Sequence, residues 1–427
     1  MIMDSIKRLL ERNKSLIKDN FILFVSFFIL NLLGYLFHFY AGRNLGPSDY
    51  GIFGSLLSLI YIIAMPLTAI QTTITKFVAD FKAKGEYEKI SYLLKGSLRK
   101  LFLIGILITI FYLILSPVIA SFLKIETLMP VMLLGAFLFF ALLIPITRGF
   151  LQGMQRFKQL GLSFILEGIA KFGFGLLLIP TFLRVNGAII SFILAYTFPF
   201  ILTLYFLRRT YWNTKEKFNT KEIYKYSFPV ILMLISLTGF YTIDIILVKH
   251  FLSSIEAGYY AALTLIGKII FFGSMSISMV MVPKIADLYA KKKNTIRLML
   301  KSLGIVGLFG FIITLIYFLF PELIIGMLFG SEYLEITKYI GFFAIFISVF
   351  SLVYVLGFYN ISLNRSKFIY ILLLFNLIEG GLIYFMHKSI MQIIFILIAL
   401  ISLLFLILGI YTFVGKNERL DTSNTGI

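Results

Sequence analysis

The sequence contains no cysteine, which excludes disulfide bonds, thiolate metal sites and cysteine nucleophiles together. Charged residues are also scarce: they make up 14% of the 427 residues, against roughly 25% in a soluble domain. Hydrophobic residues make up 60%, and the mean hydropathy is +0.97. A chain with so few charges and so many apolar residues is predicted to lie in a membrane.

The usual motifs of enzyme chemistry are missing as well. The three histidines, at positions 38, 250 and 387, are far apart in the sequence and lack the HExxH spacing of a zinc site. The sequence has no GxxxxGK[ST] loop, so we expect no ATP hydrolysis by this chain. These absences favour a membrane transporter over an enzyme, and they predict neither a cofactor nor a metal site.

Long apolar segments follow one another along the whole chain. A helix of about 20 apolar residues crosses a bilayer core. Twelve segments of this kind are predicted, at residues 18–42, 50–79, 95–123, 128–152, 159–183, 186–209, 225–251, 257–288, 297–320, 335–360, 366–386 and 390–414. The predicted fold is therefore all-α, a polytopic membrane protein with about twelve transmembrane helices.

The basic residues are distributed unevenly between the gaps that separate these segments. The formal net charge is +19 at pH 7. Thirty Lys and Arg residues lie in the two termini and in every second gap, whereas only six lie in the intervening gaps. Because Lys and Arg concentrate on the cytoplasmic side, we predict a multi-pass protein of the cell (cytoplasmic) membrane with both termini in the cytoplasm. The charge is explained by topology, and no nucleic-acid partner is expected.

A polar stretch between the sixth and seventh segments divides the chain into two halves. Residues 1–209 are predicted to form an N-terminal six-helix lobe and residues 225–427 a C-terminal one, joined by a cytoplasmic linker at 210–224. Because each half contains an even number of spans, both halves enter the membrane in the same sense. Two such halves would be parallel repeats.

Short strings support this duplication. GPSDYGIF, which begins at Gly46, matches SSIEAGYY, which begins at Ser253. Further on, Glu167 and the glycine after it match Glu379 and the glycine after it, at a similar separation. Two matches in the same order at nearly one offset favour two six-helix repeats.

Several of these strings also resemble a known family. AGRNLGPSDYGIFGSLLSL, RGFLQGMQRF and IDIILVKHFLSSIEAGYYAAL resemble the polysaccharide biosynthesis, or lipid-linked oligosaccharide flippase, family of the multidrug/oligosaccharidyl-lipid/polysaccharide exporter superfamily. The resemblance implies two lobes around a central cavity that opens alternately to each side. It also implies a lipid carrier whose polyprenyl tail stays in the bilayer while its pyrophosphate and sugars pass through.

Three functions are compatible with these observations. The first is a flippase for a polyprenyl-pyrophosphate-linked oligosaccharide used in surface polysaccharide or glycoconjugate synthesis, with Na⁺ or H⁺ as a possible coupling ion and membrane lipids as partners. The second is a cation-coupled multidrug extruder, which would need an acidic cavity. The third is a membrane-embedded glycan polymerase or ligase, which typically needs larger outer loops than the longest one predicted, at 321–335.

Ionisable residues at bilayer depth are the best candidates for the site, because each costs ~2.5–3.5 kcal/mol to insert. Four basic residues are predicted to bind the substrate: Arg148, Lys171 and Lys268, which would offset the charge of its pyrophosphate, and Arg43. An interfacial position is the alternative for Arg43, and snorkelling to the interface is the alternative for Arg148. Lys268 lies near the middle of its span and cannot easily snorkel.

Three acidic residues are predicted to act as charge partners or in ion coupling: Glu167, Asp244 and Glu379. Glu167 and Lys171 are four residues apart on one helix face and can pair, so a purely structural ion pair is the alternative to phosphate binding by Lys171. Asp244 is predicted either to pair with Lys268 or to bind a coupling cation. Glu379 is predicted to be either a neutral buried acid or half of an inter-helix pair.

The charge asymmetry makes the predicted topology testable. Reporter fusions after Lys293 and after Lys416 are expected to report the cytoplasm, and a fusion after Glu256 is expected to report the outside. A cytoplasmic signal at Glu256 would contradict the twelve-span arrangement, since it would require a different number of spans before that residue.

Overall fold

The computed structural model describes residues 14–208, 221–291, 293–363 and 365–424, which form α-helices, one 3₁₀ helix and no β-strand. The predicted all-α fold is confirmed. The α-helices are α1 (Lys14–Ala83), α2 (Tyr87–Phe122), α3 (Leu128–Gly153), α4 (Phe157–Leu178), α5 (Arg184–Leu207), α6 (Lys221–Gly239), α7 (Ile243–Phe251), α8 (Ser254–Ala290), α9 (Ile296–Leu319), α10 (Pro321–Leu328), α11 (Thr337–Ser362), α12 (Phe368–Phe385) and α13 (Ile390–Asn424). The 3₁₀ helix, Ser331–Ile336, lies between α10 and α11.

Eleven helical runs among the described residues are long and apolar enough to cross a membrane. The first run, Phe21–Ala83, has 63 residues and is interrupted at Gly46, whose backbone is not helical (φ 71°, ψ 171°). Since about 20 residues cross a bilayer core, this run has room for the two predicted spans 18–42 and 50–79. The chain is therefore a multi-pass membrane protein with eleven to twelve apolar helices, as predicted.

The chain divides into two compact units. Unit 1 comprises residues 1–45 and 63–231, and unit 2 comprises residues 46–62 and 232–427. Most of the predicted linker falls on residues 209–220, which lie outside the described residues. The lobe boundaries drawn from the sequence therefore stay a prediction.

Within unit 1, α1 crosses α3 at very short range. A Cβ atom on Gly149 would lie 2.8 Å from the backbone oxygen of Gln71, and a Cβ on Gly153 would lie 2.8 Å from that of Thr75. Small residues four apart let helix backbones approach closely in membranes. Gln71 Nε2 donates to Gln152 Oε1 at 3.0 Å across the same crossing. The crossing therefore combines close packing with an inter-helix hydrogen bond.

The turns after α3 and after α11 are stabilised in the same way in the two halves. Arg156 Nη1 donates to the carbonyl oxygen of Phe206 in α5 at 3.1 Å, and Arg365 Nη1 donates to that of Thr412 in α13 at 3.3 Å. In both turns the arginine backbone N–H also donates to the carbonyl oxygen five residues earlier. The shared arrangement agrees with the predicted six-helix repeats.

Within unit 2, residues 46–62 of α1 pack against the beginning of α8. A Cβ on Gly51 would lie 2.6 Å from both Ser254 O and Gly258 N. A Cβ on Gly258 would collide with the backbone oxygen of Pro47. Only glycine fits these two positions, so this crossing depends on the absence of side chains.

The predicted span at 225–251 is not a single helix. α6 ends at Gly239 and α7 begins at Ile243, with a turn between them. Asn376 of α12 packs against this break: its Oδ1 occupies the space that a Cβ at position 239 would need, and its Nδ2 donates to Ser236 O at 2.9 Å. The length of an apolar run does not reveal hydrogen bonds from another helix, so the sequence predicted one continuous span.

The long gap predicted between the ninth and tenth spans is also ordered. It contains α10 and the 3₁₀ helix, and its buried residues Phe329 and Tyr333 pack on Tyr50 with ring centroids 5.7 and 6.3 Å apart. Aromatic pairs at such distances stabilise a packed core. This segment therefore extends unit 2 over the first residues after the Gly46 break.

The crossing of α1 and α8 makes a specific prediction. Gly258→Leu is expected to lower the melting temperature of the purified protein, because the new side chain forces backbones apart and overpacking costs about 1–3 kcal/mol or more. Gly304→Leu is the control, since a Cβ there would meet nothing within 4 Å. An unchanged melting temperature for Gly258→Leu would contradict this packing.

Candidate functional site

The seven residues predicted from the sequence fall into two clusters and one further position. Unit 1 holds Arg148, Glu167 and Lys171, and unit 2 holds Asp244, Lys268 and Glu379. Arg43 is exposed and lies three residues before the break at Gly46. The structure therefore brings six of the seven residues into two local charge clusters, one in each unit.

Arg148 and Glu167 form a buried salt bridge in unit 1. Arg148 Nη2 lies 2.8 Å from Glu167 Oε2, and both side chains are less than a tenth exposed. Arg148 also donates from Nε to Ser163 Oγ at 3.2 Å and from Nη2 to Ser163 O at 3.1 Å. Its guanidinium carbon lies 4.4 Å from the ring centroid of Phe164. These contacts fix Arg148 inside the unit, and the snorkelling alternative does not describe its position.

Lys171 is held less tightly than Arg148. Its Nζ lies 3.9 Å from Glu167 Oε1, at the limit of an ion pair, and 4.8 Å from the ring centroid of Phe192. The expected pairing across one helix face is present, but the closer partner of Glu167 comes from α3. Sequence spacing reports only neighbours on the same helix, so the role of Arg148 as the main partner of Glu167 was missed.

In unit 2, the break between α6 and α7 places Asp244 in the first turn of α7. Asp244 is fully buried. Its Oδ2 accepts a 2.7 Å hydrogen bond from Tyr260 Oη, and its Oδ1 accepts a 2.8 Å hydrogen bond from Ile245 N. An acid in the first turn of a helix is also stabilised by the helix dipole. The helix break thus supplies a buried carboxylate with donors that hold its orientation.

Lys268 lies between two tyrosine rings rather than on a carboxylate. Its Nζ is 4.3 Å from the ring centroid of Tyr61 and 5.5 Å from that of Tyr241. It makes no salt bridge with a described residue, although it interacts electrostatically with Asp244. The side chain is half-buried. The ammonium group of Lys268 therefore packs against aromatic rings and has no carboxylate in direct contact among the described residues.

Glu379 of α12 is the least satisfied charged residue in either cluster. It is fully buried, and neither carboxylate oxygen has a hydrogen-bond partner among the described residues. Its electrostatic neighbours are Asp244 and Tyr260. The Oδ1 atom of Asn376, one turn earlier on the same helix, is also buried without a hydrogen-bond partner in the described part of the chain.

The two halves differ in the way each treats its buried acid. Arg156 and Arg365, which occupy the same place in the two turns, are 209 residues apart, and the residue 209 positions after Arg148 is Gly357. The same 209-residue step from Glu167 leads to Asn376, whereas Glu379 lies 212 residues after Glu167. In the described part of the chain, Glu167 is paired with Arg148, whereas Glu379 has no hydrogen-bond partner.

Three aromatic residues in unit 2 were missed by the sequence analysis. Tyr61 and Tyr241 flank Lys268, and Tyr260 orients Asp244. Tyr260 is the last residue of the repeated string SSIEAGYY, and it lies eight residues before Lys268, on the same face of α8. That spacing was the available signal. Among the described residues, no group of three or more His, Cys, Asp or Glu side chains could hold a metal ion.

Comparison with known proteins agrees with this architecture. The family described as "Polysaccharide biosynthesis protein" matches residues 16–289. An uncharacterized membrane protein of Methanocaldococcus jannaschii is 27% identical over 320 residues, which cover 69% of this chain and 74% of that protein. Stage V sporulation protein B of Bacillus subtilis is 24% identical over 162 residues, which cover 37% of this chain and 31% of that protein.

A solved structure extends the likeness to nearly the whole chain. The inward-facing conformation of a multidrug resistance MATE family transporter of the MOP superfamily superposes with a TM-score of 0.78 at 13% identity, and covers 93% of this chain and 96% of that one. At this identity the likeness concerns the fold. The chain has the fold of MOP-superfamily membrane transporters.

The geometry of unit 1 makes Arg148 and Lys171 experimentally distinguishable. Arg148→Gln is expected to lower thermal stability strongly, because it leaves Glu167 with only its distant lysine, and breaking a buried ion pair costs about 3–5 kcal/mol. Lys171→Met is expected to lower it less. Melting temperatures of the purified variants measure both effects.

Lys171→Met separates structure from function in the same cluster, because it leaves the Arg148–Glu167 salt bridge in place. If Lys171 binds the substrate, this variant is expected to fold but not to transport. Full transport by Lys171→Met would remove Lys171 from the site.

Proposed function

Because the chain belongs to the polysaccharide biosynthesis protein family, we propose that it is a flippase for a polyprenyl-pyrophosphate-linked oligosaccharide. The substrate crosses the cytoplasmic membrane by alternating access. The observation that carries this proposal is Lys268, a deep cation without a carboxylate contact among the described residues. A charge at membrane depth is costly and normally faces a cavity or a partner.

A pyrophosphate is the partner that the surroundings of Lys268 favour. Phosphate oxygens form strong charge-assisted bonds with lysine. Tyr61 and Tyr241 keep the ammonium group desolvated on their ring faces without neutralising it. An anionic group can therefore approach Lys268 without having to displace a bound carboxylate.

In unit 1, the proposed phosphate contact is Lys171. Arg148 is occupied by Glu167 and Ser163, so we assign it to positioning Glu167 and not to touching the substrate. This arrangement leaves Lys171 as the more weakly paired cation, with Glu167 as its resting partner. Arg43, exposed beside the Gly46 break, is proposed as a further contact for the charged head group.

Asp244 and Glu379 are proposed to bind the coupling cation, Na⁺ or H⁺. The two carboxylates interact electrostatically, and the buried Oδ1 of Asn376 lies one turn from Glu379. All of these groups surround a broken helix, and broken helices of transporters use such positions to hold Na⁺ or H⁺. The unpartnered oxygens fit a small cation better than they fit an empty apolar core.

A cation-coupled multidrug extruder is the second candidate. The observation in its favour is the buried acid pair of unit 2, since a cationic drug requires negative charge in its path. Resistance assays in a drug-sensitive strain separate the two functions. Increased resistance that depends on Asp244 but not on Lys268 would favour the extruder.

The decisive test concerns the charge of Lys268. Lys268→Ala is expected to abolish complementation of a flippase-deficient strain, because the change removes the proposed phosphate contact. Membrane abundance is expected to stay near wild type, because Lys268 forms no salt bridge with a described residue. Lys268→Arg is expected to retain part of the activity, since it keeps the charge. Normal complementation by Lys268→Ala would overturn the assignment of Lys268 to the substrate.

A further inference from the structure

The last part of α1 exposes a polar face inside the predicted span 50–79. Thr68, Thr72 and Lys76 are exposed, and residues four apart lie on one side of a helix. The other side of the helix carries Ile74 and Val78, which belong to the hydrophobic core of unit 1. Thr68, Thr72 and Lys76 together form the polar stripe.

The exposed surface of α2 has a different composition. Its exposed side chains include Leu107, Phe111, Ile114 and Val118, which are 64–69% exposed. Large apolar side chains are expected where a helix contacts lipid, because lipid provides no hydrogen bonds. The polar stripe contains none of them, and polar side chains at membrane depth normally face the bundle interior or a water-filled cavity. The stripe therefore has the composition of a water-facing surface.

The second half of the chain shows that the fold does not require a hydroxyl at this position. Lys76 and Lys284 begin the similar strings KFVAD and KIAD near the ends of α1 and α8. Four residues before the lysine, unit 1 has Thr72 and unit 2 has Val280, and both are exposed. A valine is thus accommodated at the matching place in unit 2, and we expect the helix to tolerate valine at position 72.

The side chains of the stripe offer hydrogen bonds suited to sugar hydroxyls. Thr72 Oγ1 donates its proton to Thr68 O at 2.9 Å, so its lone pairs can accept a hydrogen bond from the O–H group of a ligand. Lys76, one turn further, is an exposed donor, and Asp80, one turn beyond it, is an exposed acceptor. A sugar hydroxyl both donates and accepts, so it can bind at each of these positions.

On the basis of the proposed function, we infer that the polar stripe binds the sugar portion of the lipid-linked oligosaccharide. The stripe runs ~12 Å along α1 at 1.5 Å per residue, so it can contact more than one sugar ring. Lys171 and Lys268, the proposed phosphate contacts, recognise negative charge. Thr68 and Thr72 carry no charge and contribute to affinity only where the ligand has hydroxyl groups.

The test compares two probes that differ only in the sugar: farnesyl diphosphate, and the same diphosphate carrying one N-acetylglucosamine. Isothermal titration calorimetry measures both on the full-length protein, in a detergent without a sugar head group. Wild type is expected to bind the sugar-bearing probe about tenfold more tightly, through hydrogen bonds to the stripe.

Variants at position 72 assign this difference to the stripe. Thr72→Val is expected to weaken binding of the sugar-bearing probe about fivefold, the effect of one hydrogen bond between uncharged groups, and to leave farnesyl diphosphate binding unchanged. Thr72→Ser keeps the hydroxyl and is expected to retain most of the affinity. Thr197→Val is the matched control, because the Thr197 hydroxyl makes the same bond to the carbonyl oxygen four residues earlier, at 2.7 Å.

Cysteine labelling tests whether the stripe faces water. Because the chain has no cysteine, Thr72→Cys introduces a single thiol. A charged, water-soluble maleimide in permeabilised membranes is expected to label Thr72→Cys and not Ile114→Cys, because the reagent attacks a thiolate in water. The sugar-bearing probe is expected to slow this labelling more than farnesyl diphosphate does. Equal labelling at the two positions, or none at position 72, would contradict a water-facing stripe.

The outcomes separate the sugar site from the proposed function. If wild type binds both probes equally, or if Thr72→Val weakens both to the same extent, the stripe does not bind the sugar, while phosphate binding at Lys268 stands. If wild type binds neither probe, the proposed function fails and the sugar site fails with it.

Discussion

A charge placed among apolar helices must be balanced inside the protein, because lipid provides neither counter-charge nor hydrogen bonds. Unit 1 meets this constraint by contact: Arg148, Glu167 and Lys171 form one connected group, and Ser163 satisfies the rest of the guanidinium. Removal of one member leaves the others uncompensated. The cluster therefore joins α3 to α4, and a substitution that removes one of its charges is also expected to lower the stability of the protein.

Unit 2 meets the constraint only partly. Asp244 has its donors, but Glu379 has none among the described residues, and Lys268 relies on aromatic faces. Buried polar groups in folded proteins are nearly always hydrogen-bonded, so exceptions call for a functional explanation. A cation for the acids and a phosphate for the lysine would complete both groups. The proposed transport function is a consequence of this incomplete balance.

Duplication explains how one chain contains both solutions. Arg156 and Arg365 preserve the same turn in the two halves, which shows that the repeats share their framework. Inside that framework the buried charges differ: Glu167 pairs with Arg148 in the first half, whereas Glu379 of the second half has no hydrogen-bond partner among the described residues. With a shared backbone and different buried charges, the charges of one half can pair with each other while those of the other half can bind ligands.

The sequence by itself determined the class of protein and the short list of functional candidates. Apolar length, the scarcity of charge and the resemblance of strings such as GPSDYGIF and SSIEAGYY are local properties, and the all-α membrane fold and the family were predicted from them. The i,i+4 relation of Glu167 and Lys171 was also readable, because helical spacing alone places both on one face.

Only the tertiary structure decided which groups are partners. Arg148 contacts Glu167 from another helix, Asn376 packs against Gly239 at the break in its span, and Tyr61 contacts Lys268 from more than 200 residues away in the sequence. Each contact depends on how two helices cross, and the crossing depends in turn on small residues such as Gly51 and Gly258. A hydropathy pattern carries no information about such crossings, since it records the depth of a residue and not the identity of its neighbour.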